Sequence, residues 1–125
     1  TTPQDIALLD ARKGLKMFER VNVPVFGIVE NMSYFIAPDT KKRYDIFGNG
    51  GGERLASELK VPFLGSIPIE PSIREGGDSG KPVVHSHPDS EHAAKIVEIS
   101  RNLAAQISIS LNSGTSSKIE ISLEG

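Results

Sequence analysis

Asn31 closes the apolar run VPVFGIV, residues 23–29, at its carboxyl end. A side-chain amide offers a donor and an acceptor together, which matches the edge of an adenine ring. An Asn in this place can equally cap the next turn. A second apolar run, VPFLGSIP over residues 61–68, ends on Pro68-Ile69-Glu70. Open α/β sheets bind ligands at the carboxyl ends of their strands, so Asn31, Pro68, Ile69 and Glu70 form the candidate binding set. The plain alternative for the second group is a strand-to-helix turn, with Pro71 pre-setting the helix.

Three further groups could do chemistry. Gly48-Asn49-Gly50-Gly51-Gly52 precedes a helical pattern, and free N–H groups at a helix start can hold an anion. Without a following Lys and Ser/Thr, the run reads better as a joint that lets the helix pack closely. His85, His87 and His92 raise a metal site, with His85 and His87 on one face of an extended segment. No further ligand is fixed by spacing, so surface or capping roles are preferred and no metal is assigned. Arg74 and Asp78 suit a solvated ion pair rather than a catalytic role. No catalytic residue is assigned.

Composition narrows the classes. The chain has 125 residues, no cysteine and a net charge of −2 without a basic block. Disulfides and thiolate-held metals are thereby excluded within it. Neither a nucleic-acid footprint nor a membrane-length apolar run is present, so no nucleic-acid or membrane partner is expected. The lack of cysteine suits a reducing compartment, and the cytoplasm is the expected location.

The elements that must position these residues follow from periodicity. Residues 3–21 read as an amphipathic helix with Leu8, Ala11, Leu15, Phe18 and Val21 on one stripe, Thr2 as cap and Pro3 at its first position. Residues 23–29 and 61–68 read as strands buried on both faces. Residues 30–50 form a long connection, with a small hairpin around Arg43 to Phe47. Residues 50–60 read as a helix and residues 71–77 as a short one. Residues 76–88 read as loop. Residues 89–107 read as a long helix capped by Asp89 or Ser90, with Ala93, Ile96, Val97, Ser100, Leu103, Ala104 and Ile107 inward. Residues 108–117 read as a linker. Lys118 to Glu124 alternates like an exposed strand or forms a tail. Helices alternating with buried strands give an α/β layer fold. Two strands are too few for such a sheet, and a chain that opens on a helix cap is expected to be part of a longer protein.

Four stretches in order, TTPQDIALLDARKGLKMF, VPVFGIVENMSYF, DIFGNGGGERLA and VPFLGSIPIEPSIREGGDSGKPVV, carry a resemblance. They are similar to the C-terminal half of Mrp/ApbC-type ATPases, the MinD-like deviant P-loop class linked to iron–sulfur cluster assembly. The resemblance covers residues 1–107 and leaves 108–125 as linker and tail. It implies a doubly wound parallel sheet in three α/β/α layers, ATP binding with Mg, ATP hydrolysis, and a homodimer formed around nucleotide. Iron–sulfur apoproteins or assembly factors are the implied partners. It assigns the Asn at position 31 to the base and places Pro68, Ile69 and Glu70 beside the purine, where Glu70 could take a ribose or base group.

Two departures bear on activity. No G-x-x-x-x-G-K-[ST] run occurs in these 125 residues, so this chain by itself is expected not to hydrolyse ATP. Many relatives carry C-P-x-C after the Asn-Met-Ser segment; here Ala37 and Thr40 flank Pro38-Asp39. Neither side chain binds iron as a thiolate does, so an iron–sulfur cluster lacks its ligands in this chain.

Overall fold

The computed structural model describes residues 1–113. The first helix, α1 (Asp5–Arg20), starts later than its sequence suggests. Gln4 is its N-cap, and Thr2 instead donates to the Gln4 side chain at 3.1 Å. Pro3 is buried, with the 48–51 segment lying against it, which keeps residues 1–4 extended. From α1, Leu8 and Ala11 pack on Ile28, Leu55 and Ala56, and Leu15 is buried. Phe18 and Val21 stay exposed at the far end of the expected stripe.

Strand β1 covers Ile28–Glu30, shorter than the run 23–29 and one residue beyond it. Pro24 has no N–H to give a ladder. Strand pairing begins where Ile28 N–H donates to the Pro62 carbonyl at 2.9 Å. A two-stranded hairpin follows, β2 (Phe35–Ile36) antiparallel to β3 (Arg43–Tyr44), the second strand starting at Arg43 as expected but ending before Phe47. Helix α2 (Gly51–Leu59) leads to β4 (Phe63–Ser66), which is shorter than residues 61–68.

β1 and β4 are adjacent and parallel, with Ile28 opposite Phe63, Val29 opposite Gly65 and Glu30 opposite Ser66. Ile28 faces α2 through Leu55 and Ala56. Gly65 faces the other way. A side chain there would lie 2.7 Å from Ile99 of the last helix. Helices therefore cover both faces, giving the three α/β/α layers. Residue 1 runs along the free edge of β1: its amino group donates to Val29 O at 2.9 Å, and its carbonyl accepts from Asn31 N–H at 2.8 Å.

Helix α3 (Pro71–Asp78) is capped by Glu70. A short helix, α4 (Val83–Ser86), forms inside the segment expected as loop, anchored by the buried Val83. The last helix, α5 (Glu91–Asn112), is capped by Ser90, whose hydroxyl accepts from Ala93 N–H. It runs five residues past the expected end at 107. No Gly or Pro lies between Pro88 and Gly114 to stop it. Its inward face also differs from expectation. Ile99 packs toward Gly65, and Asn102 donates to the Leu64 carbonyl at 2.9 Å. Val97, Ser100, Leu103, Ala104 and Ile107 are exposed instead. Of the expected inward stripe, Ala93 is buried and Ile96 half-buried, while the rest faces out, and the side of α5 toward β4 carries Ile99 and Asn102. The strand pattern at Lys118–Glu124 lies outside the described residues.

Candidate functional site

The carboxyl ends of β1 and β4 stay in register beyond the ladder. Ile67 N–H donates to the Glu30 carbonyl at 2.8 Å, Ser33 N–H to Ile67 O at 3.0 Å, and Ile69 N–H to Tyr34 O at 2.7 Å. Segments 31–34 and 67–69 are thus stitched together. This brings Asn31 and Pro68-Ile69-Glu70 to the same edge of the sheet.

Asn31 is exposed at the start of the turn. Its Oδ1 accepts from Met32 N–H at 2.8 Å, the local turn contact open to any Asn. Among the described residues its Nδ2 makes no hydrogen bond, so a donor remains at the edge. Met32 takes a left-handed φ of 51°, uncommon for a non-glycine residue, and reverses the chain.

That reversal returns Ser33 to Glu30, a residue that periodicity gave no reason to single out. Glu30 is 1% exposed. Its Oε1 accepts from Ser33 Oγ at 2.6 Å and its Oε2 from Gly52 N–H at 2.5 Å. The carboxylate sits at the positive end of α2, where the helix dipole favours it. The glycine run therefore does hold an anion, but one that belongs to the chain. The run is also the close joint expected of it. A Cβ on Gly51 would lie 2.7 Å from Leu8 Cδ1, and one on Gly52 would lie 3.0 Å from Glu30. An unbroken apolar strand ending in an ionisable residue was the available signal for Glu30, since buried carboxylates need such partners.

Glu70 serves as the cap of α3. Its Oε1 accepts from Ser72 N–H at 3.4 Å and Ser72 Oγ at 3.2 Å. His92 Nε2 lies 3.0 Å from the same Ser72 Oγ, so the starts of α3 and α5 are clasped through one hydroxyl. In this order the carboxylate engages the hydroxyl rather than the imidazole, which is not the arrangement that activates a serine nucleophile. Pro68, Ile69, Glu70, Tyr34 and His92 line a cavity of about 60 Å³. That is room for about two waters. Asn31 does not line this cavity.

The other histidines stay apart. His85 and His87 are exposed on and after α4, and His87 Nδ1 meets Ser86 Oγ at 3.0 Å. Among the described residues no group of three His, Cys, Asp or Glu side chains is placed to hold a metal. Arg74 and Asp78 form the exposed ion pair at 2.7 Å.

The connection 31–52 projects as the β2–β3 hairpin. Ala37-Pro38-Asp39-Thr40 is a closed turn: Ala37 N–H donates to Lys42 O at 2.9 Å and Lys41 N–H to Ala37 O at 2.8 Å. Arg43 lies over the Tyr34 ring, 4.3 Å from its centre, and pairs with Asp45 at 2.8 Å. The hydrogen bond from Arg43, with a second from Asn49, holds the Asp45 carboxyl below its ordinary value. On α5, Lys95 is raised by its hydrogen bond to Glu98. The residues at the hairpin tip do not fit an iron–sulfur cluster, having neither thiolate nor imidazole.

A parallel sheet covered on both faces, with candidate ligand groups at its carboxyl edge, defines the α/β class to which nucleotide-binding P-loop proteins belong. The family model for ParA, described as the NUBPL iron-transfer P-loop NTPase, matches residues 1–104, and the chain belongs to this family. An iron-sulfur cluster carrier protein of Synechocystis is 54% identical over 110 residues, covering 87% of this chain and 31% of that protein. The iron-sulfur cluster carrier protein of Escherichia coli K12 is 50% identical over 107 residues, covering 86% and 29%. The mouse iron-sulfur cluster transfer protein NUBPL is 47% identical over 107 residues, covering 86% and 34%. The chain thus spans about a third of the length of these curated relatives.

Two solved structures share the fold. The nucleotide-binding protein of Archaeoglobus fulgidus in complex with ADP aligns with a TM-score of 0.55 and 35% identity, over 65% of this chain and 33% of that one. The Pyrococcus furiosus cell division ATPase MinD aligns with a TM-score of 0.66 and 25% identity, over 84% and 40%.

Proposed function

We propose that residues 1–107 form the adenine-side half of an ATP-binding domain in an iron–sulfur cluster carrier. Asn31 would contact the base, and Pro68, Ile69 and Glu70 would flank it. The observation that carries this reading is the parallel β1–β4 pair, whose ends are stitched so that Asn31 and Pro68 share one edge. Since the Glu70 carboxylate is engaged by Ser72, the backbone of 68–70 is its better contact surface. The longer protein would supply the phosphate loop and Mg, hydrolyse ATP and form a homodimer around nucleotide in the cytoplasm. It would pass clusters to apoproteins or assembly factors.

A cavity of about 510 Å³ between α1 and β1, lined by Leu15, Phe18, Val25 and Ile28 among others, supports further sheet and helix packing on that side in the longer protein. Cluster ligands would have to come from outside the described residues. The ordered hairpin without metal ligands favours a second role for this chain, as a partner-binding module.

ATP titration tests the reading. The 125-residue chain is expected to bind ATP weakly or not at all, and a protein carrying the upstream sequence of its own gene is expected to bind it. Tight binding by the 125 residues, or none by the longer protein, would overturn the proposal.

A further inference from the structure

Asn49 stands directly before Gly50, the N-cap of α2, and is exposed. An asparagine followed by glycine is open to attack on its own side chain, because glycine has no Cβ to shield the backbone nitrogen. Gly50 takes a left-handed φ of 65°. Its N–H makes no hydrogen bond among the described residues, so no contact has to break before that nitrogen reacts. The carbonyl of the same peptide unit, Asn49 O, accepts from Arg54 Nη1 at 2.8 Å. When the Gly50 N–H loses its proton, peptide resonance places much of the negative charge on that oxygen. A guanidinium already hydrogen-bonded there stabilises the anion as it forms. The other asparagines lack this combination. Asn22, Asn31, Asn102 and Asn112 precede Val23, Met32, Leu103 and Ser113, all of which carry a side chain. Asn102 is also held inside α5 by its bond to Leu64.

We propose that Asn49 is a site of spontaneous deamidation, promoted by Arg54 and coupled to the buried Glu30. The Gly50 nitrogen gives its proton to hydroxide or a buffer base and attacks Asn49 Cγ. An N–Cγ bond forms, the Cγ–Nδ2 bond breaks, and the amide nitrogen takes up protons from solvent and leaves as ammonia. The product is a cyclic imide. Water opens it at Cγ to give aspartate, or at the backbone carbonyl to give isoaspartate, in which the main chain runs through the former side chain. Net, water is added and ammonia lost, with no oxidant or reductant. The fold makes the change consequential. Asn49 Nδ2 donates to Asp45 Oδ2 at 2.7 Å, so conversion replaces a donor by a carboxylate beside a carboxylate. Isoaspartate also lengthens the backbone just before Gly51 and Gly52. There a Cβ on Gly51 would lie 2.7 Å from Leu8 Cδ1, and Gly52 N–H is bound to Glu30. So tight a joint has no slack for a longer main chain, and the start of α2 moves off the Glu30 carboxylate.

Peptide-resolved mass spectrometry of the full 125-residue chain, aged in mildly alkaline buffer without nucleotide, is the test. Asn49 is expected to convert before any other asparagine. Arg54→Met should slow that conversion at least about fivefold while leaving the helical circular dichroism unchanged. In urea, where Arg54 no longer holds the Asn49 carbonyl, the two chains should convert at the same rate. In the isoaspartate fraction, hydrogen exchange at Gly52 N–H should run at least about tenfold faster than in fresh chain. Asn49→Gln, whose longer side chain resists cyclisation, should keep its Gly52 protection through the same incubation. Another asparagine converting first, or a folded Arg54→Met chain converting as fast as the parent or faster, overturns the proposed site. Unchanged Gly52 exchange in the isoaspartate fraction overturns the coupling to Glu30. Because nucleotide is absent, failure here is separate from failure of the ATP-binding reading.

Discussion

The root and the tip of the 31–52 connection are built by opposite means. At the root, the buried Glu30 carboxylate ties Ser33 and Gly52 together, and Gly51 leaves the space that Leu8 and the Pro3 carbonyl occupy. At the tip, Pro38, Asp39 and Thr40 are exposed and closed by bonds within their own turn. The root fixes where Asn31 stands relative to α2 and β4. The tip can change its chemistry without disturbing that placement. Ala37 and Thr40, the positions that the resemblance aligns with cysteines, lie at this tip, away from the buried root.

Glu30→Ala should have the largest effect on this contrast. It strands the Ser33 hydroxyl and the Gly52 N–H in the interior, at a cost of about 3 kcal/mol in urea denaturation. Glu30→Gln should recover most of it, since an amide oxygen can accept from Gly52 while its NH₂ donates to Ser33 Oγ. A glutamine variant as unstable as the alanine one would mean that the charge at the α2 terminus matters more than the hydrogen bonds. Gly51→Ala comes next: a methyl there would lie 2.7 Å from Leu8 Cδ1 and 3.0 Å from the Pro3 carbonyl, so the Leu8 side chain must repack against a backbone that leaves little room. Overpacking of this kind costs about 1–3 kcal/mol by the same assay.

The tip should respond far less. Asp39→Ala or Thr40→Ala is expected to stay within about 0.5 kcal/mol of the parent chain. A larger loss would show that the turn supports the hairpin more than its bonding suggests.

The pH dependence of the hairpin gives the smallest effect. The Asp45 carboxyl is depressed in the folded state by Arg43 and then Asn49. Its contribution is therefore present above the ordinary value of 3.8 and is lost as pH falls through the lower folded value. Acid titration of the chain and of Arg43→Ala by NMR should show the Asp45 midpoint moving back up in the variant. An unmoved midpoint would contradict the pairing.

Much of the scaffold was legible in the sequence because periodicity and breakers speak directly to local structure. The α1 stripe at Leu8, Ala11 and Leu15, the Ser90 cap and the parallel pairing of the two apolar runs are of this kind. Element ends were less legible. β1 began only at Ile28, and α5 ran on to Asn112 with no Gly or Pro before Gly114 to stop it. The orientation of α5 was not legible, since the contacts of Ile99 with Gly65 and of Asn102 with Leu64 join positions far apart in the sequence. The site divides in the same way. Asn31 and Pro68 stand where strand ends predict, and the family match runs over residues 1–104, which include all four motif stretches. Glu30 needed coordinates, because its partners lie on a turn and on a separate helix.

The most direct test of the proposed base edge compares Asn31→Ala with the parent sequence in a protein that includes the upstream part of the gene. Calorimetric affinities would be measured for ATP and for inorganic triphosphate, which has no base. The expected result is a loss of roughly tenfold or more for ATP, with triphosphate binding unchanged. Equal ATP affinity in the two proteins, or an equal loss for both ligands, would contradict the assignment of Asn31 to the adenine.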